Sequence, residues 1–288
     1  MIAIFRREVG AYFKGIMGYL FAAFLLIFAG IYTMAYNLSG YYANFAYVLS
    51  AISFLYMIAV PVLTMRSVAE EKRQKTDQLL YALPMRMSDV IVGKYLAMLV
   101  VLAVPLAVMG LYPLVLSQFG EVSFASAYGA LLAFFLLGAC LLAIGLFISS
   151  VTDSQVASAV ITLVVLLILY FLSSLSSFVS TSSSASFSAL AVAVVIFAII
   201  LYFLTKNPLV AALLGALGVG GLYGWYTQDA SAFAGLFGKI MDQLSLFDRF
   251  DTFIDGVFDW TAVVYYLSIT GVFLFLAVQA MEKRRWSE

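Results

Sequence analysis

The densest group of chemically active side chains in this sequence is a polar stretch between two long apolar runs. From residue 70 to residue 84 it reads Glu-Glu-Lys-Arg-Gln-Lys-Thr-Asp-Gln-Leu-Leu-Tyr-Ala-Leu-Pro. Carboxylates, amines and a hydroxyl in one run can bind ions, transfer protons or contact a polar surface of another protein. The rest of the sequence decides between these kinds of chemistry.

Several kinds of catalytic site are excluded by composition. The sequence contains no His, which excludes a His-liganded metal and a Ser-His-Asp triad. Its single cysteine, Cys140, lies in an apolar run, so no intramolecular disulfide forms, and we interpret this residue as a small buried hydrophobe. No cofactor is expected.

The pair Gly93-Lys94 does not belong to an ATP-binding loop. A Walker A motif ending there needs Gly at 88 and Ser or Thr at 95, because its glycines and hydroxyl contact the phosphates and the metal. The sequence has Ser88 and Tyr95 instead. We therefore predict that this chain does not bind ATP.

The polar stretch has the features of a short helix that binds a partner. Thr76 can cap such a helix, and Pro84 ends it because the residue before proline avoids the helical region. A second helix is expected to begin with Ser88 as its cap. An amphipathic helix of this kind suits a groove in a soluble protein. The residues we assign to this interface are Glu70, Glu71, Thr76, Asp77, Gln78, Leu79, Leu80, Leu83 and Pro84.

The remainder of the chain has the composition of a membrane protein. The 288 residues are 65% hydrophobic and 10% charged, whereas a typical globular domain is roughly 25% charged. Each apolar run has about 20 residues, enough to cross ~30 Å of hydrocarbon as a helix. We predict an all-α polytopic bundle with spans at 15–36, 45–68, 94–117, 126–150, 156–178, 187–205, 207–225 and 260–281.

The distribution of Lys and Arg predicts the orientation of these spans. With the N-terminus inside, nearly all of the 15 basic residues fall on the inner side, and Lys239 and Arg249 are outside. The positive-inside rule then makes both termini and the 66–94 loop cytoplasmic. Residues 1–14 mix cations with large apolar residues. This fits an interfacial helix or a frayed start of the first span.

Residues 226–259 are predicted to lie outside the membrane just before the last span. Apolar residues recur there every three or four positions, which indicates an amphipathic helix too polar to span. It is expected to lie in the interface or re-enter the bilayer; an ordinary surface helix that caps the bundle is the alternative. The candidate outer gate residues are Phe247, Phe250, Phe253, Gly256 and Asp259.

Two groups of glycines are expected to let helices approach closely. The first group is Gly138 with Gly145, and the second is Gly220, Gly221 and Gly224. Both are interpreted as structural.

Two motifs resemble those of a known transporter family. The first motif comprises Glu70, Glu71, Thr76, Leu80, Pro84, Gly93 and Lys94. The second runs from Ser245 through Phe250, Phe253, Gly256 and Asp259 to Ser268. In this order they resemble the ABC-2 type permeases, especially the gliding-motility-like bacterial exporters. The sequence departs from the family pattern at Lys75, where Gly is usual, and at Gln78, where Glu is usual.

This resemblance implies a function and a set of partners. The chain would be one permease domain over 1–288, in a bacterial cytoplasmic membrane. Its 69–94 loop would hold a coupling helix that receives ATP-driven motion from two copies of a separate ATPase subunit. A second permease, identical or related, would complete the transporter in the lipid bilayer, and no nucleic acid is expected as a partner. Because the family usually has six spans, 187–225 would be an inserted pair.

Two other functions remain as alternatives. An ATP-independent secondary transporter or lipid-translocating protein is disfavoured by spans that carry almost no charge, since ion paths usually contain ionisable residues. An integral membrane enzyme is disfavoured by the absence of His and of carboxylates within the spans. The aromatic and aliphatic spans suit a lipophilic or amphipathic cargo such as a lipid, peptide or drug.

Overall fold

The computed structural model describes residues 1–40, 44–76, 86–205 and 207–287, and their regular structure is entirely helical. The helices in chain order are α1 (Ile2–Lys14), α2 (Met17–Tyr32), α3 (Phe45–Ile52), α4 (Tyr56–Thr64), α5 (Ala69–Arg73), α6 (Met87–Met109), α7 (Tyr112–Leu116), α8 (Phe124–Val151), α9 (Gln155–Tyr170), α10 (Leu172–Ser177), α11 (Ser183–Thr205), α12 (Pro208–Gln228), α13 (Leu236–Leu244), α14 (Leu246–Ile254) and α15 (Trp260–Ser287). The π-helical turn Thr33–Leu38 continues α2, and the 3-10 turn Ser53–Leu55 joins α3 to α4. The predicted all-α class is confirmed.

The described residues contain six helical stretches that are long and apolar enough to cross a membrane. They are Met17–Leu38, Phe45–Arg73, Met87–Leu116, Phe124–Val151, Pro208–Gln228 and Trp260–Arg285. Two shorter apolar helices, Gln155–Tyr170 and Ser183–Ile199, account for the other predicted spans. The predicted run 156–178 is not one helix, because it breaks between α9 and α10. The fold is therefore a polytopic membrane bundle.

The contacts divide the chain into two compact units, residues 1–168 with 249–288, and residues 169–248. The predicted pair 187–225 lies in the second unit, where it forms α11 and α12. That 1–288 acts as one permease domain with this pair as an insertion stays a prediction.

The first unit is built around α8, the most buried of the six membrane stretches. Two of its glycines meet neighbouring helices. A Cβ at Gly138 would lie 2.8 Å from the Tyr56 ring, and one at Gly145 would lie 2.6 Å from Thr64 Oγ1. The predicted close approach at Gly138 and Gly145 is confirmed, because an added Cβ at either position would overlap a side chain of α4.

In the second unit α11 and α12 pack as a pair, and small residues again form the contact. A Cβ at Gly215 would lie 3.0 Å from Ala198 Cβ, and one at Gly218 would lie 2.7 Å from Val194 Cγ1. The predicted contact face at Gly220, Gly221 and Gly224 is wrong for the described residues, since no atom lies within 4 Å of an added Cβ there. Helix α12 carries small residues on two faces, and α11 packs against the face with Gly215 and Gly218.

The predicted cytoplasmic loop begins with a helix that is shorter than expected. Helix α5 ends at Arg73, and α6 begins at Met87, one residue before the predicted cap Ser88. Arg86 is the residue that precedes α6, and it makes no side-chain cap hydrogen bond. Ser88 therefore lies within the first turn, where Asp89 is placed as expected.

Candidate functional site: a charged network at one end of the first unit

The centre of the candidate site is the ammonium group of Lys94, which is 1% exposed. Its Nζ donates to Ser67 O at 2.6 Å and lies 2.9 Å from Glu71 Oε1 and 3.2 Å from Glu8 Oε1. An ammonium group has three N–H donors, and these are its three acceptors. A buried cation with this complement of partners avoids most of the penalty for leaving water.

A second cation balances the charge of the two carboxylates. Arg7 Nη2 lies 2.6 Å from Glu8 Oε1 and 2.8 Å from Glu71 Oε1, and its side chain is about half exposed. The hydrogen bond to Glu8 raises the pKa of Arg7 above its ordinary value. Two cations and two carboxylates thus form one neutral group, which joins α1, α5 and α6.

The sequence explains why α1 can approach this point. A Cβ at Gly93 would lie 3.2 Å from Ile4 Cγ2 and 3.4 Å from the carbonyl oxygen of Met1. Gly93 therefore lets α1 pack directly on α6, and the next residue, Lys94, then reaches Glu8. The Gly-Lys pair acts here as a packing and charge element.

The first turn of α5 is held from the opposite side by α8. Ser149 Oγ accepts hydrogen bonds from the backbone N–H groups of Val68 at 3.2 Å and Ala69 at 3.1 Å. These N–H groups belong to the start of a helix, where no intrahelical acceptor exists. A side chain from another helix therefore caps α5 and fixes its direction.

A second set of contacts joins α5 to the end of α8 and to the last helix. Lys72 is buried; its Nζ donates to Ser150 O and lies 3.8 Å from Asp153 Oδ1. Arg284, in the last turn of α15, also pairs with Asp153. We call the residues Arg7, Glu8, Glu71, Lys72, Lys94, Ser149, Asp153 and Arg284 the charged network.

The chain leaves α5 through a turn with an unusual backbone conformation. Lys75 has φ +55°, in the left-handed region that favours glycine. This is the position at which Gly is usual in the family pattern. Thr76 Oγ1 then donates to Glu71 O at 3.2 Å. Lys75 therefore has a left-handed backbone conformation in which its Cβ is unfavourable, whereas the glycine usual at this position has no Cβ.

The structure separates the predicted interface residues into two groups. Glu71 is central to the charged network. Glu70 lies outside it, with Oε2 3.6 Å from Arg66 Nε, and the side chains of Glu70 and Arg66 are partly exposed. Asp77, Gln78, Leu79, Leu80, Leu83 and Pro84 lie outside the described residues. The predicted helix that Thr76 would cap also falls there, so it stays a prediction.

The predicted outer segment contains the end of α12, the 3-10 turn Ala230–Phe233, and helices α13 and α14 with Ser245 between them. Phe247, Phe250 and Phe253 are buried, and the Phe250 ring lies 5.9 Å from that of Phe134. Gly256 has φ +81°. Asp259 precedes α15 and accepts from the N–H of Thr261 at 2.8 Å. Hydrogen bonds from Thr261 lower the pKa of Asp259.

These contacts give the predicted gate residues structural roles. In the first unit the Phe250 ring packs near Phe134, and in the second unit the Phe247 ring packs on Tyr170. Asp259 satisfies a free N–H group at the start of the last helix. A role for them in gating stays a prediction.

Sequence reasoning did not find most of the charged network. From the sequence, Lys94 belongs to the Gly93-Lys94 motif without an identified partner, and no individual role follows for Arg7, Glu8, Ser149, Asp153 or Arg284. The one local indication of the charged network is the dipeptide Gly93-Lys94, in which a residue that permits close packing precedes a cation. The partners of Lys94 come from distant parts of the chain, which spacing alone does not reveal.

Comparison with protein families gives a match over most of the bundle. Residues 22–280 match the family described as ABC-2 family transporter protein. The chain belongs to the ABC-2 transporter family. The matched range includes α5, α6, α8 and most of α15, and thus most of the charged network of this ABC-2 protein. A comparison with curated proteins finds no match.

Membership of the ABC-2 family makes this chain a membrane component of a transporter. Within the described residues, the charged network connects one short helix to α1, α6, α8 and α15. Such an arrangement is suited to carrying a displacement of α5 to several membrane helices.

Proposed function

We propose that this ABC-2 protein is the permease subunit of an ABC exporter, and that a separate ATPase subunit drives it through residues 70–84. The observation that carries the proposal is the anchorage of α5 on two sides. Glu71 is joined to Lys94 and Arg7, and Lys72 is joined to Ser150 and Asp153. A displacement of 70–84 would then move α1, α6 and α8 through these contacts.

The contacts of the charged network support the proposed orientation. Arg7 pairs with Glu71, and both Lys72 and Arg284 pair with Asp153, so α1, α5 and the C-terminal end of α15 lie at the same end of the first unit. This end carries most of the basic residues that the positive-inside rule assigns to the cytoplasm. In our proposal it faces the cytoplasm of a bacterial cell.

The transport cycle in our proposal has two states. Two ATPase copies close on ATP and press on the 70–84 segments of two permeases, which are identical or related. A lipophilic or amphipathic cargo between the permeases then faces the outer side. Coupling of this kind requires that the ATPase contacts 70–84 differently in the two states.

A double substitution in the predicted coupling helix tests this function. Leu79→Asp with Leu80→Asp places two charges on the apolar face that we expect to dock on the ATPase. The measurement is co-purification of the ATPase subunit with the permease from membranes, at matched permease amounts. The control is Lys283→Asp with Arg285→Asp, two exposed positions on α15.

We expect the wild type and the control to retain the ATPase and the Leu79–Leu80 variant to lose it. Retention by all three would refute the assignment of 70–84. The alternative of an ATP-independent transporter predicts a different result, namely transport by the purified chain with an ion gradient and no ATPase.

A further inference from the structure

A groove of about 360 Å³ lies between α1 and α6 in the first unit. Ile2 and Phe5 line it from α1, and Leu96, Leu99 and Ala103 line it from α6. All of its lining residues are apolar, and its volume is within the ~300–1,000 Å³ typical of small-molecule sites. The occupant must therefore insert a part that has no polar group.

The α6 side of the groove, from Leu96 to Ala103, is ~10 Å long, about two thirds of one lipid leaflet. Helix α1 lies against α6 at Gly93, and Leu96 and Ala103 follow that glycine by three and ten residues. At 1.5 Å per residue these side chains lie ~5–15 Å further along α6. Half of the ~30 Å hydrocarbon layer is ~15 Å. Because α6 belongs to the membrane stretch Met87–Leu116, the groove extends from α1 towards the bilayer centre.

The exposed cation Arg6 lies next to this groove. Arg6 follows Phe5 directly and follows Ile2 by four residues, which places it beside Ile2 on the helix surface. Its side chain is exposed, and it makes no ion pair or hydrogen bond with any residue in the described part of the chain. Arg7, by contrast, is engaged by Glu8 and Glu71. A guanidinium group binds phosphate with two parallel hydrogen bonds.

We propose that this groove binds one acyl chain of an anionic phospholipid, whose phosphate pairs with Arg6. Cationic interfacial helices attract anionic lipids, and each Lys or Arg adds to the attraction. The bound chain packs against Phe5, on the helix that also carries Glu8 of the charged network. The site needs only α1, α6 and Phe135 of α8 in a membrane. A test of it is therefore independent of the ATPase coupling proposed above.

Two matched pairs of variants test the site. Arg6→Gln removes the proposed phosphate partner, and Lys14→Gln removes an exposed cation eight residues later on the same helix. Ala103→Trp fills the groove, and Val104→Trp places the same ring at the next, exposed residue of α6. The measurement is native mass spectrometry of the full-length chain in detergent, titrated with phosphatidylglycerol or phosphatidylcholine.

We expect the wild type to retain phosphatidylglycerol in preference to phosphatidylcholine. Arg6→Gln should weaken phosphatidylglycerol binding by about fivefold, the contribution of one basic residue near an anionic lipid, and Lys14→Gln should weaken it less. Ala103→Trp should reduce retention of both lipids, and Val104→Trp should not. Equal retention of the two lipids by the wild type, or equal losses in both glutamine variants, would overturn the proposal.

A measurement on the wild type alone removes any dependence on the folding of Ala103→Trp. Phosphatidylglycerol with a diazirine on its acyl chain is photolysed in nanodiscs that contain the full-length chain, and the labelled peptides are identified. The proposal predicts labels concentrated on residues 1–14 and 96–103. Labels spread evenly over the exposed apolar helices would show only bulk lipid and would contradict the site.

Discussion

Lys94 Nζ lies 2.9 Å from Glu71 Oε1, and this ion pair joins α6 to α5. Glu8 lies 3.2 Å from the same nitrogen, so the N-terminal helix takes part as well. Helix α5 has only five residues, and an isolated helix of this length is not stable in water. Its position therefore depends on partners in other helices.

Removal of the central cation should destabilise this end of the protein. Lys94→Met leaves Glu71 and Glu8 with Arg7 as their remaining cation. We expect a loss of about 2–3 kcal/mol, below the ~3–5 kcal/mol for breaking a fully buried pair, because Arg7 compensates in part. The measurement is thermal unfolding in detergent, with Lys14→Met as the exposed control.

A double-mutant cycle with Glu71→Gln separates the ion pair from the packing of Lys94. We expect the double variant to lose less stability than the sum of the two single variants. Strict additivity would show that the two side chains do not interact.

Two glycines on α8 should respond in opposite ways to the same substitution. Gly145→Ala places a Cβ 2.6 Å from Thr64 Oγ1, whereas Gly129 has no atom within 4 Å of an added Cβ. We expect Gly145→Ala to destabilise the protein by roughly 1–3 kcal/mol through overpacking. Gly129→Ala should be neutral or stabilising by up to ~1 kcal/mol, because alanine favours the helix. Equal unfolding temperatures for the two variants would contradict the α4–α8 contact.

Two neighbouring serines on α8 should differ in their effect on α5. Ser149→Ala removes the acceptor for the N–H groups of Val68 and Ala69, and we expect a cost of about 1 kcal/mol, as for a lost helix cap. Ser150→Ala is the matched control, because its hydroxyl bonds only within α8, to Phe147 O. Hydrogen exchange at the amides of residues 68 and 69 should accelerate in the first variant alone.

Glycine at position 75 should stabilise the turn after α5. Lys75 has φ +55°, a conformation that costs a residue with a Cβ roughly 1–2 kcal/mol, partly offset by the entropy that glycine loses on folding. We expect Lys75→Gly to stabilise the turn by about 0.5–1 kcal/mol and Lys75→Val to destabilise it. Slower hydrogen exchange over 70–76 in the glycine variant and faster exchange in the valine variant would confirm this. The reverse order would contradict it.

The sequence predicted the helical membrane fold because that fold rests on local properties. Each apolar run has the length and composition of a span, and the all-α class follows from the need to satisfy backbone groups in lipid. Gly138 and Gly145 were also predicted, because small residues on a membrane span let a neighbouring helix approach closely. The open glycines of α12 were not, because the face that a neighbouring helix covers depends on tertiary packing.

The charged network was less predictable than the bundle. The sequence predicts Lys94 as the last residue of the 69–94 loop. In the structure it lies two turns into α6 and is almost completely buried. Its burial depends on Glu8 and Glu71, which reach it from α1 and α5. No periodicity links residues 8, 71 and 94, so only the three-dimensional packing of α1 on Gly93 reveals them.

In our proposal residues 70–84 form a cytoplasmic segment on which a separate ATPase docks. Since Cys140 is the single cysteine and is buried, a Cys140→Ala background permits one reporter thiol, Leu80→Cys. The measurement is its labelling by a membrane-impermeant maleimide in intact cells and in inside-out vesicles, with and without the ATPase subunit. Our account predicts labelling in the vesicles alone and protection when the ATPase is present. Labelling from outside intact cells, or equal labelling with and without the ATPase, would contradict it.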